Sequence, residues 1–303
     1  CVASPREDSV FRLSNMSERF EERNFDLGDF LAMLEWQEWL DFLDDDESQH
    51  LLAGPRGDWA NYVKAAILRL QHMYRDRILR GMDMVFCGDI PIAAGLSSSS
   101  AMVVATAEAA VAINGLDLAP QDFVDLCGEG EWFVGSRGGA GDHAAMKYGK
   151  KGHISQLEFF PCGLKQTVPF PDGYSLLIAN TFVEAKKSDD AKDIFNQRIA
   201  EYDFSFMLFK HLVPTHVHQL HRLRDINSKD LLAPPSAIYR MLLKIPECLS
   251  LKEMLAILPK ELHEKVIKIA SSHRNPEMYK LRSVLLYGIA ECERSRIAEE
   301  LLS

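Results

Sequence analysis

The chain has 303 residues, of which 47% are hydrophobic and 26% charged, and a formal net charge of -10. That length accommodates two domains of ~150 residues, and the composition supports a sizeable core and excludes a disordered chain. The acidic balance excludes a nucleic-acid groove as the principal site, because such a groove needs a basic stripe to displace counterions, but it leaves room for a local small-anion site.

The first residues, C-V-A-S-P-R-E-D, lack the apolar stretch of a secretion signal, and no uninterrupted apolar run of ~18 residues follows. The chain therefore reads as cytoplasmic, without a membrane span. It begins without methionine and stops in a helical pattern, which reads as a fragment of a longer protein. Val10 to Leu13 is β-like, and Asp44-Asp45-Asp46-Glu47 reads as a solvated loop because clustered like charges repel. Trp59 to Leu70 has apolar residues at helical spacing, and Met82 to Phe86 reads as a strand.

That strand feeds P-I-A-A-G-L-S-S-S-S-A, Pro91 to Ala101. Gly95 permits a tight turn, and Ser97 to Ser100 offer N–H groups and hydroxyls at the positive end of the helix that follows, the chemistry of a phosphate site. The same serines also suit an ordinary helix cap. The helix runs through Met102, Val103, Val104, Ala107, Ala110 and Val111 to a stop at Asn114-Gly115. Pro120 to Phe133 reads as a second helix, ending in the glycine-rich run G-S-R-G-G-A-G-D-H-A-A. His153 to Phe160 and Tyr174 to Asn180 are strand candidates, separated by a P-F-P-D-G loop that marks a domain boundary. From about Ala191 the pattern is mostly helical, broken at Pro214, Pro234-Pro235, Pro246, Pro259 and Pro276.

Among chemically capable residues, Asp142 closes the glycine run, where a carboxylate suits either proton transfer or a helix N-cap. Glu129 and Glu131 precede that run and are candidate oxygen ligands for Mg²⁺, which takes few protein carboxylates. His211, His216, His218 and His221 cluster without a standard zinc spacing. Trp59 and Tyr62 share a helix face and suit either core packing or stacking on a base. The cysteines at 1, 87, 127, 162, 248 and 292 have no C-x-x-C spacing and read as reduced thiols.

Taken together these stretches resemble the galactokinase branch of the GHMP small-molecule kinases. Pro91 to Ala101 is similar to the pattern P-x-x-x-G-L-S-S-S-A, with Ser100 as an extra serine where alanine is usual. W-A-N-Y-V-K, Trp59 to Lys64, is similar to the segment whose tryptophan and tyrosine contact adenine. F-V-G-S-R-G-G-A-G-D-H, Phe133 to His143, resembles F-V-G-x-x-C-G-I-M-D-Q, and F-N-Q-R at Phe195 to Arg198 matches Y-N-x-R. The resemblance implies a two-domain α/β (α+β) GHMP kinase fold, with a ribosomal S5-like half over 1–170, a ferredoxin-like and largely helical half over 171–303, and ATP between them.

It also implies roles. Gly95, Leu96 and Ser97, Ser98, Ser99 and Ser100 would wrap the ATP phosphates, with Trp59 and Tyr62 at the base. Ser99 and Glu131 would contact Mg²⁺, Asp142 would be the catalytic carboxylate, and Gly139, Asp142 and Phe195 would face a monosaccharide. The family's first signature, G-R-x-N-L-I-G-E-H-x-D-Y, and its third, a glycine-rich loop near the C-terminus, are absent, as truncation would produce. Phe195 for tyrosine, His143 for glutamine and Arg137-Gly138 before Gly139 imply a sugar related to galactose. A non-catalytic sugar and nucleotide sensor of the same fold, or a GHMP kinase for another small alcohol, are the alternatives.

Overall fold

The structure, a computed structural model, describes the chain except residues 34–35, 37, 46–51, 53–56, 136, 160–161, 183–188, 216–219 and 303, and except the side chains of 189–192. It divides into two compact units, Cys1–Lys187 and Ser188–Ser303.

In the first unit, β1 (Val2–Pro5), β2 (Val10–Asn15), β3 (Arg23–Asp26) and β4 (Met82–Phe86) form one sheet in the order β1-β4-β2-β3. Hairpin neighbours β2 and β3 are antiparallel, as are β1 and β4, whereas β2 and β4 run parallel. The parallel pair needs a long crossover, which α1 (Leu27–Met33), α2 (Trp39–Asp44) and α3 (Ala60–Met73) supply. Alternation in β4 sends Met82, Met84 and Phe86 inward and Asp83 and Val85 outward, and Phe11 and Leu13 of β2 join the buried face.

The core is built around α3, whose Val63, Ala65, Ala66, Ile67, Leu68 and Leu70 are fully buried. It packs against α4 (Ser98–Asn114) and α5 (Pro120–Glu131), which a short 3₁₀ turn and α6 (Gly141–Tyr148) follow. Gly130 of α5 permits the close approach, since a Cβ there would stand 3.0 Å from the Ala65 carbonyl oxygen. Gln71, 1% exposed, sets the path into β4: its amide donates to the Tyr74 and Arg77 carbonyls and accepts from the Leu79 N–H.

A hairpin of β5 (His153–Glu158) and β6 (Gly163–Pro169) closes the unit's ordered sheets. The expected strand at Tyr174 to Asn180 does not form: Leu176, Leu177 and Ile178 are 81%, 94% and 75% exposed. Strand propensity describes a residue's fit to a pleated, half-buried surface, and this segment joins no ladder among the described residues. Asp44 departs from the expected loop as well, since it ends α2 and pairs with Arg137. Asp46 and Glu47 lie outside the described residues.

The second unit is mostly helical: α7 (Asp189–Leu212), α8 (Pro235–Leu242), α9 (Leu251–Ile257), α10 (His263–Ala270) and α11 (Arg282–Leu302). Between them β7 (Cys248–Leu249) and β8 (Tyr279–Lys280) form a short antiparallel ladder. Phe204, Leu208 and Phe209 of α7 pack with Tyr279, Leu281 and Leu285 in a separate core. Ser250 and Glu253 form a reciprocal capping box that starts α9. Among the described residues no helix is long and apolar enough to cross a membrane, and all the cysteines are unpaired thiols.

Candidate active site

The strand, loop and helix at 82–114 occur in the expected order, and the loop's backbone is unusual. Ala93, Gly95 and Ser97 have φ of 56°, 72° and 57°, whereas the intervening Ala94 and Leu96 do not enter the left-handed region. Left-handed residues that alternate with right-handed helical ones turn successive N–H groups to one side, the arrangement of an anion-accepting nest. Two of the three left-handed residues carry a Cβ, a strained arrangement of the kind that gathers at ligand sites. Ser97, at the cap position of α4, makes no side-chain cap bond. The loop opens onto the N-terminus of α4, whose far end stops as expected, with Gly115 left-handed and its N–H bonded to the Val111 and Ala112 carbonyls. Leu96 is 44% exposed beside the serines.

Trp59 lies behind this loop. It is 7% exposed, donates its indole N–H to the Glu21 carbonyl at 3.0 Å and meets Phe86 edge-on at 5.7 Å, where β4 enters the loop. Of its two sequence readings, packing is the one the structure supports. Tyr62 is partly exposed. Lys64 of the same stretch donates to the Leu52 carbonyl, and burial pushes its ammonium below the ordinary lysine range.

The two glutamates of α5 part company. Glu129 accepts from Arg69 Nε and Nη2 at 3.0 and 2.6 Å, and that ion pair takes up the carboxylate considered for Mg²⁺ in the sequence. Glu131 instead accepts from Ser100 Oγ at 2.6 Å, in the first turn of α4, and His143 Nε2 of α6 stands 2.9 Å from the same oxygen. This chain of contacts joins the serine loop to the element that carries Asp142.

Asp142 sits in the first turn of α6, whose cap position is Ala140, so it is no N-cap. Its side chain is exposed and, among the described residues, makes no hydrogen bond or ion pair. Gly139 just before it is exposed, while the Gly138 carbonyl is tied to the Trp132 indole at 2.6 Å. Phe195 lies on α7 in the second unit, 46% exposed. His211 and His221 are exposed, and His216 and His218 lie outside the described residues. Among the described residues no group of three or more His, Cys, Asp or Glu side chains could hold a metal. Sequence reading missed the Ser100–Glu131–His143 association and the role of Arg69. The signals were Gly130, a glycine inside a helix, and the two substitutions at 100 and 143.

Residues 61–150 match the GHMP kinases N terminal domain. The matched stretch runs from α3 through the serine loop and past α6, Asp142 included, and the α/β fold is similar to that of a solved galactokinase. The sequence is, more narrowly, galactokinase-like. A galactokinase of Dictyostelium discoideum is 28% identical over 172 residues, covering 56% of this chain and 34% of that protein. The galactokinase of Saccharomyces cerevisiae is 33% identical over 161 residues, covering 48% and 30%, and that of Chloroflexus aggregans is 25% identical over 243 residues, covering 78% and 54%. Lactococcus lactis galactokinase complexed with galactose is a structural neighbour with a TM-score of 0.51 at 20% identity, covering 79% of this chain and 56% of that one. The chain thus spans 30% to 54% of the length of these curated relatives.

Proposed function

We propose that the natural protein is an ATP-dependent sugar kinase that phosphorylates the anomeric hydroxyl of galactose or a related monosaccharide, giving a sugar 1-phosphate and ADP. The observation that carries this reading is the alternation of left-handed residues at 93, 95 and 97 leading into the N-terminus of α4. A concavity of N–H groups at a helix N-terminus suits phosphates. Gly95, Leu96 and the serines 97–100 form its wall, and Tyr62 is the aromatic residue with surface to offer a base, Trp59 serving to hold Phe86 and the loop in place.

Glu131 bears on the metal. A carboxylate hydrogen-bonded to the first turn of α4 would repel phosphates bound there unless a cation stood between them, and hydroxyl and carboxylate oxygens are the hard donors Mg²⁺ takes. Ser99 and Glu131 are the residues that would hold it. The ion would supply neutralisation of phosphate charge. Asp142, exposed and, among the described residues, without a hydrogen bond or ion pair, would accept the proton of the sugar hydroxyl or orient its oxygen, with the Gly139 backbone as a sugar contact. Catalysis in such a site consists mainly of positioning and charge stabilisation.

The test is ADP release by the full-length natural protein with Mg·ATP across a panel of free sugars. Sugar-dependent release supports the kinase and names the substrate. Binding of sugar and ATP without turnover would assign a sensor of the same fold, and turnover confined to a non-sugar alcohol would move the protein elsewhere among these kinases.

A further inference from the structure

One oxygen, Glu131 Oε2, is the meeting point of side chains from two other elements. Ser100 of α4 donates to it at 2.6 Å, and His143 Nε2 of α6 stands 2.9 Å away. Both are enclosed, Ser100 at 3% exposure and His143 at 2%. Neither His143 ring nitrogen has a hydrogen-bond partner among the described residues. Burying an imidazole in that state is unfavourable, and its ionic neighbour is the Glu131 carboxylate. Ser100 and His143 are also two of the positions where the chain departs from the patterns it otherwise resembles. The fold brings both departures onto the same atom.

A hydroxyl that donates to one oxygen of a carboxylate, with an imidazole packed 2.9 Å from the same oxygen on another side, restricts the plane of the group and where its other oxygen points. We propose that Ser100 and His143 are positioning residues that orient Glu131 toward the divalent cation of a nucleotide held at the serine loop. This rests on the reading of Glu131 as a cation contact given above. Loss of side chains that orient a metal-binding group typically weakens metal binding 10- to 100-fold. A merely structural brace would change stability instead.

The experiment measures Mn²⁺ binding by electron paramagnetic resonance, using the full-length protein and a non-hydrolysable ATP analogue, with thermal unfolding of each metal-free variant as a control. Glu131→Gln is expected to weaken binding most. Ser100→Ala and His143→Ala should each weaken it about 10-fold, with His143→Gln, whose side chain again fills the space beside Glu131 with a polar group, recovering most of the loss. In the Glu131→Gln background, neither further change should add anything. Ser100→Ala removes a single hydroxyl and keeps the test available where His143→Ala fails to fold.

Unchanged Mn²⁺ affinity in Ser100→Ala and His143→Ala, alongside weak binding by Glu131→Gln, would overturn the positioning role. So would losses that persist in the Glu131→Gln background. Unchanged affinity in Glu131→Gln would remove the metal assignment and this inference with it. If the expected pattern appears but no sugar is phosphorylated, positioning stands and the sugar-kinase reading alone fails.

Discussion

The turn at 133–143 and the helix stretch at 195–198 are both motif matches, but they use their polar side chains in opposite directions. Asp142 in the first unit is exposed and unpaired among the described residues. In the second unit, Asn196 is 6% exposed and donates to the Ser272 carbonyl just beyond α10. Arg198 pairs with Glu201, a fully buried carboxylate that also accepts from the Gln197 amide and the Lys280 N–H. In the proposed reading the exposed Asp142 meets a ligand, whereas Asn196 and Glu201 tie α7 to its neighbours, so sequence similarity of comparable quality does not separate chemistry from scaffold.

Substitutions can break or sharpen this contrast. Asp142→Asn keeps the shape and removes the charge, so kcat should fall roughly 10²-fold or more while unfolding by urea is unchanged; normal turnover would remove Asp142 from the mechanism. Asn196→Ala should do the reverse, lowering stability by about 2 kcal/mol because it leaves a carbonyl without its buried donor. A large kcat effect at unchanged stability would show that Asn196 belongs to the chemistry after all.

Gly95→Ala lies between these extremes. The added Cβ meets no atom within 4 Å, so its cost comes from the φ of +72° alone, about 1 kcal/mol. If that strain is relieved by shifting the loop, the KM for ATP should rise about 5-fold, and an unchanged KM would argue that the backbone here does not hold phosphate.

The smallest effect is a pH dependence in the second unit. His273, bonded to Tyr279 and Ser272, is pushed below the ordinary imidazole value by burial, against the opposing influence of Asp193 and Glu201. Because the unfolded state then binds protons more readily, its contribution to stability is present above pH 6.5 and lost as pH falls from there through the depressed value. His273→Gln should flatten that slope in urea unfolding measured across the same range.

Sequence alone determined the order of strand, serine loop and helix, the stop at Gly115 and the helical character of the second half. Periodicity, glycine conformation and capping act over a few residues, and they leave their mark in the chain itself. It also marked Gly95, Ser97–Ser100 and Asp142 as a group, but not the left-handed backbone at 93, 95 and 97. The fates of Glu129 and Glu131 show the limit more sharply. At about 100° per residue, positions two apart on a helix face sides about 200° apart, so one carboxylate reaches Arg69 on α3 and the other Ser100 on α4. Which neighbour waits on each side depends on how α3, α4 and α5 pack, and so do the burial of Trp59 and the approach of His143 to Glu131. Among the described residues the apolar run at 174–180 joins no ladder for a related reason: a ladder requires a partner strand, and partners are chosen by tertiary structure.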